Sequence, residues 1–208
     1  MFFMKTNLLT ISFVGVFKTP QTMIQPLDAQ FCKNVFHSPE NTVSGFAPAG
    51  FIIRHRTLPA PLINISPEKI IIMANSQPEL LGYIKALKSE IASYEYCAYG
   101  LNRDVECLDI CNGDIGEWIN RQFINNRLHL GQKINRCSKL NIMFDINEGE
   151  FLNIDLEPRA GIANGLFLSI NHHNNYGITG FPEESELNEM YESSGKKVNE
   201  YIKILTNE

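Results

Sequence analysis

The sequence predicts an α+β fold, a mainly antiparallel sheet covered by two or three helices, and three observations carry that prediction. The stretch from Leu140 to Tyr176 holds three short runs of alternating apolar and polar residues, separated by turn-forming gaps. Two longer stretches, 77–94 and 183–205, place their apolar residues at helical spacing instead. Strands come in runs followed by a helix, whereas parallel βαβ units would alternate one to one.

Taken in order, the chain opens with Leu9, Ile11, Phe13 and Phe17 in a strand-like run. No small-x-small cleavage pattern follows it, so a strand is the first reading and a targeting segment the second. Pro20, Pro26, Pro39 and Pro48 break up residues 18–50, where only Phe31, Cys32, Val35 and Phe36 suggest a short helix. Strands follow at Phe51–Ile53, Leu62–Ile65 and Ile70–Met73, and the nearby Pro59 and Pro61 suggest sheet edges or bends.

Ser76 with Glu79 makes a capping box, and Leu80, Ile84, Leu87 and Ile91 form one stripe of the helix that it opens. Tyr99, Leu101, Val105 and Cys107 share a face of the next strand. Gly100 within that strand marks a bulge or a close backbone approach. Asp114 with Glu117 starts a shorter helix bearing Ile115, Trp118, Ile119 and Phe123, and a polar linker, 125–138, follows.

In the three-stranded meander, Leu140, Ile142, Phe144 and Ile146 share a face with Leu152, Ile154 and Leu156, and Leu166, Leu168 and Ile170 continue the alternation. Pairing Ile146 with Leu152 keeps the apolar sets together. It sets Asp145 opposite Asn153 and Asn141 opposite Glu157. The last helix carries Leu187, Tyr191, Ser194 and Val198 on one stripe, with acids at its start and lysines near its end, as the helix dipole favours. The whole reads as one domain over 1–208. Its halves, 1–110 and 111–208, are each a few strands with a helix, as a divergent duplication would leave them.

Composition limits the function classes. A net charge of −5 with 44% apolar and 20% charged residues describes an ordinary globular chain and argues against general nucleic-acid binding. Arg54-His55-Arg56 is the one compact basic spot. No apolar run is long enough to span a bilayer. Five irregularly spaced cysteines suggest buried or half-buried free thiols in a reducing, cytoplasmic compartment. No Gly-x-Ser-x-Gly elbow is present, and Gly161–Gly165 lacks the Lys and Ser/Thr of a phosphate loop.

The run Pro67–Ile72, the helix with Leu80 and Leu87, and the strand Ala98-Tyr99-Gly100-Leu101-Asn102 together resemble a sporadically distributed family of uncharacterised bacterial proteins. There a strand and helix lead into a strand with a Gly-hydrophobic-Asn step. The resemblance covers about forty residues. It implies an α+β fold and brings no activity or catalytic residues.

Three groups of residues could carry chemistry. Asn171, His172, His173, Asn174 and Tyr176 form a polar run, costly to bury and suited to recognition from a loop held by a sheet. Arg159 follows Pro158 and stands ready to pair with Glu157 or Asp155, or to meet an anion. Asp145, Asp155, Glu157 and His173 would share the polar sheet face, where carboxylates and an imidazole can hold a divalent metal for hydrolysis. The leading expectation is a non-catalytic binding protein without a cofactor, its partner a protein or small ligand. The metal-dependent hydrolase is the alternative. Self-association through an edge strand or the last helix is the third reading.

Overall fold

The computed structural model describes residues 5–21, 41–45, 51–55, 63–124, 137–175, 178 and 180–206. The strands are β1 (Lys5–Phe17), β2 (Asn41–Gly45), β3 (Phe51–His55), β4 (Ile63–Ile65), β5 (Lys69–Ala74), β6 (Tyr96–Leu108), β7 (Leu140–Asn147), β8 (Glu150–Pro158) and β9 (Leu166–Asn174). The helices are α1 (Gln77–Ile91), α2 (Ile115–Ile119), which runs on as a π-helical turn over Asn120–Ile124, and α3 (Glu184–Thr206). All nine described strands join one sheet in the order β2-β3-β4-β5-β1-β6-β9-β8-β7, and every pairing among them is antiparallel. The α+β architecture holds. The short helix suggested around Phe31 and most of the linker 125–138 lie outside the described residues.

The longest strands build the middle of the sheet. β1 pairs with β5 on one side and β6 on the other, so α1 crosses over β1 to connect its two neighbours. Ser76 caps α1 by accepting from the Glu79 N–H, and a carboxylate oxygen of Glu79 accepts from the Asn75 N–H. Leu80, Ile84, Leu87 and Ile91 of α1 are buried with Phe13, Ile70 and Ile72 of the sheet. Leu87→Ala at such a site costs about 2–5 kcal/mol. Asp114 caps α2 through the Glu117 N–H, and Trp118 and Ile119 join a second cluster with Leu152, Leu156 and Leu168. The helix α3 spans both clusters, contributing Leu187 and Met190 to the first and Val198 to the second.

Three expectations need correction. β4 and β5 sit inside the sheet and not at its edge: β4 pairs with β3 and β5, and β5 with β4 and β1. The β7–β8 register is displaced by two residues: Phe144 faces Leu152, Asp145 faces Phe151 and Asn141 faces Asp155. Asn147 pairs with Glu150 around a two-residue turn in which Gly149 takes φ +68°, and a bulge between Asp145 and Asn147 absorbs Ile146. A displacement of two leaves each side chain on its expected face. Finally, the Leu187 and Val198 stripe of α3 is buried against its own sheet and is not offered to a second molecule.

The cysteines divide. Cys107 and Cys137 are buried and Cys111 half-buried, whereas Cys97 is exposed. Cys32 lies outside the described residues. No helix among the described residues is long and apolar enough to cross a membrane.

Candidate functional site: the two faces of the sheet

The alternation of a strand decides where each candidate side chain goes. On β9, Leu166, Leu168, Ile170 and His172 are all buried on the side covered by the helices. Phe167, Ser169, Asn171 and His173 project from the opposite side and stay partly exposed. The register carries that second face across the sheet. Met143, Asn153, Asn171, Asn102 and Ser12 form one row from β7 to β1. Asn141, Asp155, Ser169, Asp104 and Thr10 form the next. Asp145, Phe151, His173, Gly100 and Val14 form a third on the other flank. None of the three described helices contributes to this face.

The rows are held by cross-strand hydrogen bonds. Asn141 Nδ2 donates to Asn153 Oδ1 at 2.8 Å and to Asp155 Oδ1 at 2.6 Å. Lys139 Nζ reaches Asp155 Oδ2 at 2.8 Å. The Asn141 amide, with Lys139 behind it, holds the Asp155 carboxyl below its usual range. Thr10 donates to Asp104 at 2.8 Å. The rings of Phe151 and His173 lie 4.7 Å apart, tilted by 31°. Partial burial, and then the neighbouring His172, hold the His173 imidazole below its ordinary pKa.

Near the middle of this face, Asn102 Oδ1 is buried and accepts no hydrogen bond from the described residues. Buried polar atoms are rarely left so. Beside it, Gly100 lets two strands approach: a Cβ there would lie 2.7 Å from the backbone oxygen of His172. This is the close approach expected of Gly100.

The predicted polar cluster is therefore split. Asn171 to Asn174 belong to β9 and not to a loop. Asn171 and His173 join the open face. Asn174 lies on the helix side, near Tyr99, and lines a cleft of about 350 Å³ with Glu150, Glu186 and Glu189. His172 is fully buried. Its Nδ1 lies 3.1 Å from the Met190 carbonyl oxygen and its Nε2 lies 2.7 Å from Glu150 Oε1. The ring bridges a backbone carbonyl of α3 and the carboxyl group of Glu150 on β8. His172 thus ties β9 to α3 and β8, and it has no surface to offer a partner. Tyr176 lies outside the described residues.

Arg159 pairs with neither Glu157 nor Asp155. Its Nε donates to Glu106 Oε2 at 3.0 Å, because the chain turns back after Pro158 and lays the guanidinium along β6. It also lines a cleft of about 520 Å³ with Asp114, Cys137 and Ser138. Asp145, Asp155, Glu157 and His173 do not converge. Phe151 stands between Asp145 and His173 in their shared row, and Asp155 and Glu157 lie in other rows, opposite Ser169 and Phe167. No group of three or more metal-ligating side chains exists among the described residues. The metal-site expectation is set aside.

Arg103 is a buried charge that no sequence motif marks. It is 7% exposed, on the apolar face of β6. Its Nη2 donates to Ser194 Oγ and to the Tyr191 carbonyl, and the guanidinium lies 4.1 Å from the centre of the Tyr191 ring. Gly195 leaves it room, since a Cβ there would sit 3.0 Å from Nη1. The signal was present: Arg103 shares parity with Tyr99, Leu101 and Val105.

No family model and no curated protein matches this chain.

Proposed function

We propose that this chain is a non-catalytic binding protein that recognises its partner through the open face of β6, β7, β8 and β9. The observation that carries the reading is the row Asn153, Asn171 and Asn102 on that face, beneath whose surface Asn102 Oδ1 accepts no hydrogen bond from the described residues. The two adjacent rows bear the carboxylates Asp104, Asp155 and Asp145. Such a face fits a partner that presents hydrogen-bond donors and positive charge, such as a basic protein segment. Phe151, Phe167 and His173 add flat apolar area among the polar groups.

Titration with a short lysine-rich peptide, followed by backbone amide shifts, tests the reading. The expected perturbations fall on β6, β8 and β9. Asn171→Ala with Asp155→Asn should weaken binding about tenfold. Glu192→Gln, on the exposed side of α3, should change nothing. Shifts confined to the helices, or equal loss in all the variants, would refute it.

A further inference from the structure

The edge of the sheet formed by β7 is built unlike a protected edge. It lies at one end of the strand order, and no described strand pairs with its outer side. It is eight residues long, contains no proline or lysine, and carries a single charge, Asp145. Edge strands of soluble proteins are usually shielded by such residues. Met143, at the middle of β7, is 60% exposed, the one large hydrophobic side chain so exposed among the described residues. On the other face Leu140, Ile142 and Ile146 are only half-buried, whereas Leu152, Ile154 and Leu156 of neighbouring β8 are fully buried.

We propose that β7 pairs antiparallel with β7 of a second copy of this chain, about a two-fold axis at Ile142, and so continues the sheet across both molecules. The argument is self-complementarity. With Ile142 on the axis, Leu140 faces Phe144 of the second copy, so the apolar side chains meet on the helix side. Asn141 faces Met143 on the open side. Lys139 of each copy then stands directly opposite Asp145 of the other, giving two opposite-charge pairs per dimer.

Lys139 is well placed for this, being 54% exposed on the open side, where it already holds Asp155. A register displaced by one residue would set apolar side chains against polar ones. A register displaced by two would lose the Lys139–Asp145 contacts. The bulge after Asp145 bends the strand away, so the ladder ends where this register needs it to end. A two-fold, self-complementary contact closes at the dimer and leaves no free β7 edge. This inference does not depend on the partner proposed for the open face.

Sedimentation equilibrium across a wide concentration range tests it, with the wild type, Lys139→Glu and Asp145→Lys, each checked for folding by circular dichroism. The wild type should show concentration-dependent association to twice the chain mass of 23.6 kDa. Each single variant should associate at least about tenfold more weakly, because both copies then present like charges across the contact. An equimolar mixture of the two variants should recover the dimer. The two substituted side chains then face each other with opposite charges, and the native Lys139–Asp145 pair forms at the second contact. A wild type that stays monomeric, a dimer indifferent to both substitutions, or a mixture that stays monomeric would each overturn the proposal.

Discussion

His172 and His173 are neighbours in the chain and lie on opposite sides of a sheet. The first is enclosed beneath α3 with both ring nitrogens committed to polar partners. The second rests half-buried against Phe151 on the face that no described helix covers. The same residue type thus serves two purposes. On the helix side polarity is a fastening between layers, and on the open side it is surface chemistry. Arg103 and Arg159 repeat the contrast. Arg103 is buried against Ser194 and the Tyr191 ring, whereas Arg159 holds Glu106 where water still reaches it.

That contrast makes graded demands. His172→Ala should have the largest effect, a loss of about 3 kcal/mol in denaturant unfolding, because it leaves a buried carbonyl and a carboxyl group without their partner. His173→Ala should cost less than about 1 kcal/mol. Equal losses would erase the distinction between the faces. Gly100→Ala comes next, at about 2 kcal/mol, because its methyl group would collide with the His172 backbone and strand separation cannot relax locally. A neutral Gly100→Ala would show that β6 and β9 are not so closely apposed.

The smallest effect concerns Glu106 on the open face. The Asn7 amide first, and then Arg159, hold its carboxyl below the ordinary carboxylate range. Its folded-state pKa is lowered, so its stabilisation is present in full above the ordinary carboxylate pKa. It is lost as the pH falls through the lowered value. Asn7→Ala should therefore lower stability slightly at neutral pH, and the difference from the wild type should vanish as the pH falls through the carboxylate range. A loss that is the same at neutral and acid pH, or no loss at neutral pH, would show that Asn7 does nothing for the Glu106 carboxylate.

Much of the fold was legible because local rules and the final structure agree. Ser76 and Asp114 cap the helices that their spacing announced. Alternation placed Leu152, Ile154 and Leu156 beneath and Asn153 and Asp155 above. The strand order was not legible. Setting β1 between β5 and β6 depends on contacts between residues about ninety positions apart, such as Thr10 with Asp104. The β7–β8 register was missed because a turn one residue tighter than expected and a bulge that consumes one more residue each shift it by one, and neither leaves a compositional mark. His172 and Arg103 were missed for one shared reason. Their polarity suggested exposure, while their parity with Ile170 and Leu101 pointed inward, and parity decided. A charged or polar side chain is buried when the layer above supplies its partners, and α3 does so through Met190, Tyr191 and Ser194.

Carbethoxylation of the native protein, with each histidine resolved by peptide fragmentation, tests the division of the sheet most directly. The account predicts that His173 is modified readily and His172 only as the protein unfolds. Comparable modification of the two in the folded protein, or preferential modification of His172, would contradict it.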